Sequence, residues 1–189
     1  ILPPESYTIH MVVDHREVRS RTSTFMDARQ QRITFEGALT QRGVPCELRA
    51  LELGDILWVA RPKRDLPPDK KKAWTYVQEV VLDTVVERKR LDDLASSIFD
   101  GRWHDQKQRL RHAGIGQVIY LIEDIDVPHL MQRHGAQIQT ALSSTQVIDG
   151  FFVHRTANNQ GTVDFLVTLH EAVMDMYKDT PLYVCLLYT

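Results

Sequence analysis

Two spacings of apolar residues alternate along this chain. Tyr7 to Asp14 reads as a strand, apolar until it ends in an acid. Ser23 or Thr24 then serves as N-cap of a predicted helix. Asp27 lies in its first turn, Phe25, Ile33 and Leu39 are among its apolar positions, and Gly43 follows its last residue, about Arg42. Residues 46–53 alternate as a strand, Gly54 and Asp55 make a tight turn, and residues 56–60 return as the second arm of a hairpin. Residues 61–77 read as a basic hairpin loop containing Pro62, Pro67 and Pro68. Next, Val80, Val81, Val85 and Val86 are β-branched and apolar on both parities, the pattern of a strand covered on both faces. Leu91, Leu94 and Ile98 switch to helical spacing. Beyond the turn at Asp100 and Gly101 come a helix over 104–113, a strand over 118–122, a helix over 137–147, a short strand over 151–153 and a last helix capped by Thr162. Strands alternating with helices predict an α/β sandwich around a mixed sheet, with the hairpin as its antiparallel part.

The chain is organised around the junction between the valine-rich strand and its helix. Glu87, Arg88 and Lys89 stand there in a row. Buried charge costs several kcal/mol unless something pairs it. Glu87 and Lys89 share one side of the strand, roughly 6–7 Å apart, and Arg88 takes the other. A carboxylate beside an ammonium suits metal-assisted hydrolysis: one holds a divalent cation, the other orients water. Asp55, Asp14, Glu17, Asp92 and Asp93 also fall at strand ends or adjoining turns, where open α/β sheets place their sites. Oxygen donors without a His or Cys cluster suit Mg²⁺ or Mn²⁺. Adjacent helical residues point about 100° apart, so Asp92 and Asp93 do not both face one ion. We favour Asp93, leaving Asp92 to cap the helix or share the site. Asp83 lies about 13 Å from Glu87 along the strand and reads as structural. Glu123 and Asp124 either support the site or belong to a solvated turn.

Composition changes this picture little. The 189 residues, 43% hydrophobic and 25% charged, describe an ordinary globular domain with a sizeable core. A net charge of −2 does not by itself predict a nucleic-acid binder, so any basic surface is local. Basic residues do concentrate between Arg88 and Arg111, whereas Lys178 is the only Lys or Arg after Asn158. Arg102, Lys107 and Arg111 are candidate phosphate contacts, weighed against a merely solvated face. Lys70, Lys71 and Lys72, with Trp74 and Tyr76 beyond, have the look of a single-strand binding loop, although a solvated hairpin tip is the plainer reading. Cys46 and Cys185 form no disulfide framework and no zinc spacing, which fits a reducing compartment. No signal peptide or membrane-spanning apolar run is present. The chain reads as an excised domain, with residues 1–6 a disordered start. Phe151, Phe152, Val153, Phe165, Leu169, Val173 and Met176 exceed what one helix face and a short strand need, which predicts dimerisation through the C-terminal region.

Gly54 and Asp55, then Glu87-Arg88-Lys89 and, after three intervening residues, Asp93, resemble the signature of the XPF-family structure-selective endonucleases. Residues 85–98, Asp100 to Arg102, Gln106 and Lys107, residues 146–153 and Arg155 to Ala157 extend the resemblance towards the catalytic subunits of the crossover-junction type. The resemblance runs from about Met11 to Asp179. It implies a restriction-endonuclease-like α/β/α sandwich and a Mg²⁺-dependent nuclease, with Mn²⁺ able to substitute. The substrates implied are 3′ flaps, replication forks and nicked junctions in recombination and repair. It implies a nuclear location and a heterodimer with a non-catalytic paralogue; the C-terminal apolar surplus predicts a homodimer where that partner is absent. Asp55 and Glu87 match metal ligands and Lys89 the water-orienting base. Arg88 and Asp93 complete the signature, and Asp14 and Glu17 match the acidic pair after the first strand. The family's helix-hairpin-helix modules have no counterpart in these residues. The competing readings are a non-catalytic DNA-binding scaffold of the same fold, expected to lose Asp55, Glu87 or Lys89, and a small-molecule phosphohydrolase, for which no phosphate-cradling glycine loop is found.

Overall fold

The computed structural model describes residues 1–16, 24–26, 32–75, 78–124 and 127–183. Six strands form one sheet: β1 (Tyr7–Asp14), β4 (Cys46–Arg49), β5 (Ile56–Pro62), β6 (Val80–Arg90), β7 (Gln117–Glu123) and β8 (Phe152–Thr156), in the order β4-β1-β5-β6-β7-β8. β2 (Thr24–Met26) and β3 (Arg32–Thr34) pair separately. The helices are α1 (Phe35–Gln41), α2 (Leu91–Phe99), α3 (Arg102–His112), α4 (Val127–Val147) and α5 (Asn159–Tyr177). β5 runs antiparallel to β1 and β6, while the β1–β4, β6–β7 and β7–β8 pairs are parallel.

Side-chain alternation sorts the sheet into two cores. Met11, Val13, Ile56, Trp58, Val86 and Leu121 face α1 and α5. Val85, Val118, Tyr120 and Ile122 face α2, α3 and α4. The result is an α/β/α sandwich with a mixed sheet, as expected. β6 lies inside the sheet with both faces covered, so its charged end at Glu87–Lys89 is held within regular structure. Among the described residues no helix is long and apolar enough to cross a membrane.

Several expectations need correction. The predicted helix from Thr24 to about Arg42 is β2, β3 and a short α1; Ser23 and Asp27 lie outside the described residues. Thr34 is the real cap: its side chain accepts from the Gly37 N–H, and Phe35, Ala38 and Leu39 bury the one face a short helix needs. The hairpin is absent as well. β4 joins β1 in parallel at the sheet edge, with Met11 opposite Cys46, so β1 separates β4 from β5. Gly54 enters β5 at φ +70°, and a Cβ there would lie 2.3 Å from Val85 Cγ2. Only glycine fits that approach.

Residues 1–6 are anchored rather than disordered. Leu2 is buried and exchanges backbone hydrogen bonds of 2.8 and 2.9 Å with Leu182. The connection between β5 and β6 carries a helical turn, Pro68–Lys71, and a 3-10 turn, Lys72–Trp74, and is tied down by buried Leu66 and Trp74. Trp74 Nε1 donates to Ser6 Oγ at 3.0 Å, so this segment is no free tip; Tyr76 and Val77 lie outside the described residues. α4 begins ten residues before the predicted 137, where Leu130 and Met131 pack half-buried against the second core. β8 starts one residue late because Phe151 turns into that core.

Candidate active site

Strand register aligns three acidic residues. Val13 pairs with Ile56, and Ile56 with Val86. One step further puts Asp14, Asp55 and Glu87 in one row across β1, the start of β5 and β6. The Asp14 N–H donates to the Asp55 carbonyl at 2.8 Å, and the Asp55 N–H to the Val86 carbonyl at 2.9 Å. Residues directly opposite across strands project to one face. That face looks towards α2 and α3, and Lys89 follows Glu87 on it.

A cavity of about 300 Å³ opens beside the row, lined by Arg16, Glu52, Asp55, Glu87, Gln106 and Arg109, among others. Asp55 Oδ2 accepts from the Arg88 backbone N–H at 2.8 Å, which aims the carboxylate. Glu87 is buried and accepts from the Gln106 amide. Lys89 Nζ donates to Gln106 Oε1 at 2.8 Å and lies 5.8 Å from the centre of the Trp103 ring. The Tyr120 hydroxyl, on the β7 residue opposite Glu87, is fully buried. Burial first, then the charges of Glu87, Asp149 and Asp55, pushes its pKa far up, so it stays neutral.

Asp14 is at the row's end but its carboxylate is engaged. It accepts from Arg16 Nε at 2.9 Å, the Arg16 N–H at 2.7 Å and the Leu51 N–H at 3.1 Å. Burial raises its pKa, and these donors outweigh burial, holding it at about 2. Glu17 lies outside the described residues.

Other nominated residues sit elsewhere. Arg88 is on the opposite face, where Nε and Nη2 bond the two Glu123 oxygens at 2.9 Å each. Thr162 of α5 donates to the same carboxylate at 2.7 Å. Asp93 is exposed in the first turn of α2, and Asp92 is bonded to Arg90 at 3.0 and 2.8 Å. Lys107 is buried against Asp149 at 2.5 Å, and Arg111 reaches the same acid at 3.1 Å. Arg102 is exposed beside Asp100. Lys70 pairs with Glu5, while Lys71 and Lys72 are exposed. Their loop precedes the start of β6, and Glu87 lies seven residues along that strand, about 23 Å away. Gln106, Arg109 and Arg16 line the cavity without having been nominated. Gln106 belongs to the family resemblance but carries no role there, since a neutral amide offers no chemistry of its own, and Arg109 reads as half of a surface pair with Asp105.

The fold and its row of acids define a chain of the restriction-endonuclease-like class. It belongs to the ERCC4 domain family, whose model matches residues 13–169. The chain is 41% identical over 186 residues to the crossover junction endonuclease mus81 of Aspergillus fumigatus, covering 96% of this chain and 30% of that protein. It is 36% identical over 177 residues to the structure-specific endonuclease subunit MUS81 of Mus musculus, covering 94% of this chain and again 30% of the relative. It therefore spans under a third of these relatives. Among solved structures, XPF from Aeropyrum pernix superposes with a TM-score of 0.61 at 24% identity, over 87% of this chain and 61% of the other. The same protein in complex with DNA gives 0.58, over 88% and 66%. These two structures support the fold.

Proposed function

We propose that this chain is the nuclease domain of a metal-dependent, structure-selective DNA endonuclease that cuts branched DNA such as 3′ flaps, forks and nicked junctions. The observation that carries this reading is the convergence of Asp55 and Glu87, from neighbouring strands, on one cavity with Lys89 beyond them. The names of the relatives, crossover junction and structure-specific endonucleases, supply the substrate class.

The donor set fits a hard cation. Among the described residues no three His, Cys, Asp or Glu side chains form a cage. Mg²⁺ does not need one, because it keeps several waters and takes one or two carboxylates plus substrate phosphate. Asp55 and Glu87 are the residues that would hold it, with Mn²⁺ as a substitute. When bound, the ion supplies charge stabilisation on phosphate oxygens and acidifies water. The chain's own groups do the rest. The Arg88 N–H aims Asp55, Gln106 aims Glu87, and Lys89 presents an ammonium that can orient water. Arg109, at the cavity wall, offers a guanidinium to a phosphate.

The same reading places the protein in the nucleus beside a non-catalytic paralogous subunit. The support for the subunit contact is a strip of exposed apolar residues at sheet edge β8. The decisive assay is cleavage of end-labelled 3′-flap DNA by the full-length protein with its partner, with and without Mg²⁺. Flap cutting that requires Mg²⁺ and disappears in Glu87→Gln is expected. Cutting by Glu87→Gln at the wild-type rate would remove the catalytic assignment.

A further inference from the structure

Glu87 and Lys89 pose a problem that their neighbours must solve. Opposite charges on one strand face, roughly 6–7 Å apart at their base, attract one another. A lysine ammonium on a flexible four-carbon stem can swing back onto such a carboxylate. That ion pair would occupy both the oxygen needed by a cation and the N–H needed by a water.

Gln106 stands between the two charges. Its amide donates to Glu87 Oε1, and its Oε1 accepts from Lys89 Nζ at 2.8 Å. Only one amide orientation serves both partners, since an ammonium only donates and a carboxylate only accepts. Its position is fixed from beneath. Trp103, three residues before, and Lys107 and Leu110, after it, are buried on α3. Lys107 is further pinned by Asp149, and both lysine ammoniums lie within 6 Å of the Trp103 ring centre, at 5.8 and 5.7 Å. A helix-borne side chain on such anchors holds its direction better than one on a loop.

We propose that Gln106 is the positioning residue of this site, a neutral amide that keeps the Glu87 carboxylate and the Lys89 ammonium apart and separately aimed. The inference rests on the nuclease reading of the cavity and names a residue that acts through Glu87 and Lys89 rather than on substrate. A charged side chain at 106 could not serve: an acid would capture Lys89 and repel Glu87, and a base would do the reverse.

The test uses the full-length protein with its partner and measures Mn²⁺ binding by calorimetry without DNA, alongside flap cleavage. Gln106→Met keeps the volume and loses both bonds. Lys89 should then fall onto Glu87, weakening Mn²⁺ binding about tenfold or more, with turnover falling as well. Adding Lys89→Met removes the competing ammonium, so Mn²⁺ affinity should recover while cleavage stays lost. Gln106→Ala, with the same rescue, guards against a packing defect peculiar to Met. Unchanged Mn²⁺ binding in both single variants overturns the inference. So does a weakened affinity that Lys89→Met fails to restore. If the wild-type protein neither binds Mn²⁺ nor cuts DNA, the nuclease reading itself fails, an outcome separate from either of these.

Discussion

Asp55 and Glu87 carry the sharpest expectations at the scale of single residues. Asp55→Asn or Glu87→Gln keeps shape and removes a cation ligand. Each should lower flap cleavage by orders of magnitude, as removal of essential catalytic groups does. DNA binding should hold or tighten, because negative charge facing phosphate is lost; fluorescence anisotropy in Ca²⁺ would show it. Ca²⁺ itself should support binding with little cutting, since its looser coordination positions water poorly. Lys89→Ala should lose turnover but keep Mn²⁺ affinity. Asp14 makes a different prediction, about pH. Its pKa is about 2 in the fold against an ordinary 3.8, so its donors stabilise the fold wherever the unfolded carboxyl is ionised. That contribution, on the order of 2 kcal/mol, is full above about pH 4 and fades as pH falls through about 2. Urea unfolding of wild type and Asp14→Asn at pH 7 and pH 3 should show the gap narrowing in acid. A gap that widened in acid would contradict this account.

At the scale of elements, the charged end of β6 works on both faces. Towards α2 and α3 it presents Glu87 and Lys89. Towards α1 and α5 it presents Arg88, whose bidentate pair with Glu123 ties β6 to β7 and, through Thr162, to α5. Both side chains are almost fully buried, at 4% and 0% exposure. Removing one partner of such a pair strands the other charge and costs about 3–5 kcal/mol. Arg88→Ala should therefore lower the melting temperature markedly, and its loss of activity should follow the loss of fold. Arg88→Met combined with Glu123→Leu should recover much of the stability, because apolar replacement of both partners is often neutral. Activity lost in Arg88→Ala with an unchanged melting curve would show a direct role in the site.

Assembly and DNA docking belong to the whole molecule. Phe151 and Val173 are buried, and Phe165 and Leu169 pack on the first core, so most of the expected surplus of apolar residues is internal. Of that set Phe152 and Met176 stay exposed, at 55% and 47%, and Phe152 with Val147 at 84% and Ile148 at 70% leaves a shorter apolar strip outside. It lies beside edge strand β8, whose unpaired backbone groups are themselves a docking template. If β8 is the edge that the proposed partner subunit covers, Phe152→Glu should weaken that association in sedimentation and leave the melting temperature of the chain unchanged. For DNA, affinity should fall with salt by about 0.9 log unit per log unit for each neutralised phosphate. Arg109→Ala should flatten that slope, while Lys70, Lys71 and Lys72 to Ala together should not, given their place at the far end of β6. A slope insensitive to Arg109 would take the cavity wall out of the DNA path.

Periodicity in the chain was enough to determine the alternation of strands and helices, the double-sided burial of β6 and the shared face of Glu87 and Lys89. Each of these is a local property, set by side-chain period along one element. The resemblance in Gly54–Asp55, Glu87–Lys89 and Asp93 pointed to the same acids and to the fold. Pairing was beyond its reach. Residues 46–53 and 56–60 look like hairpin arms, yet β1 inserts between them, because strand partners are chosen by burial across the whole sheet. The face occupied by Arg88 was legible from alternation, but its partner Glu123, 35 residues away, was not. Gln106 belongs to the family resemblance, yet its role was not legible there: that role lies in no chemistry of its own, only in the two charges that tertiary packing sets on either side of it.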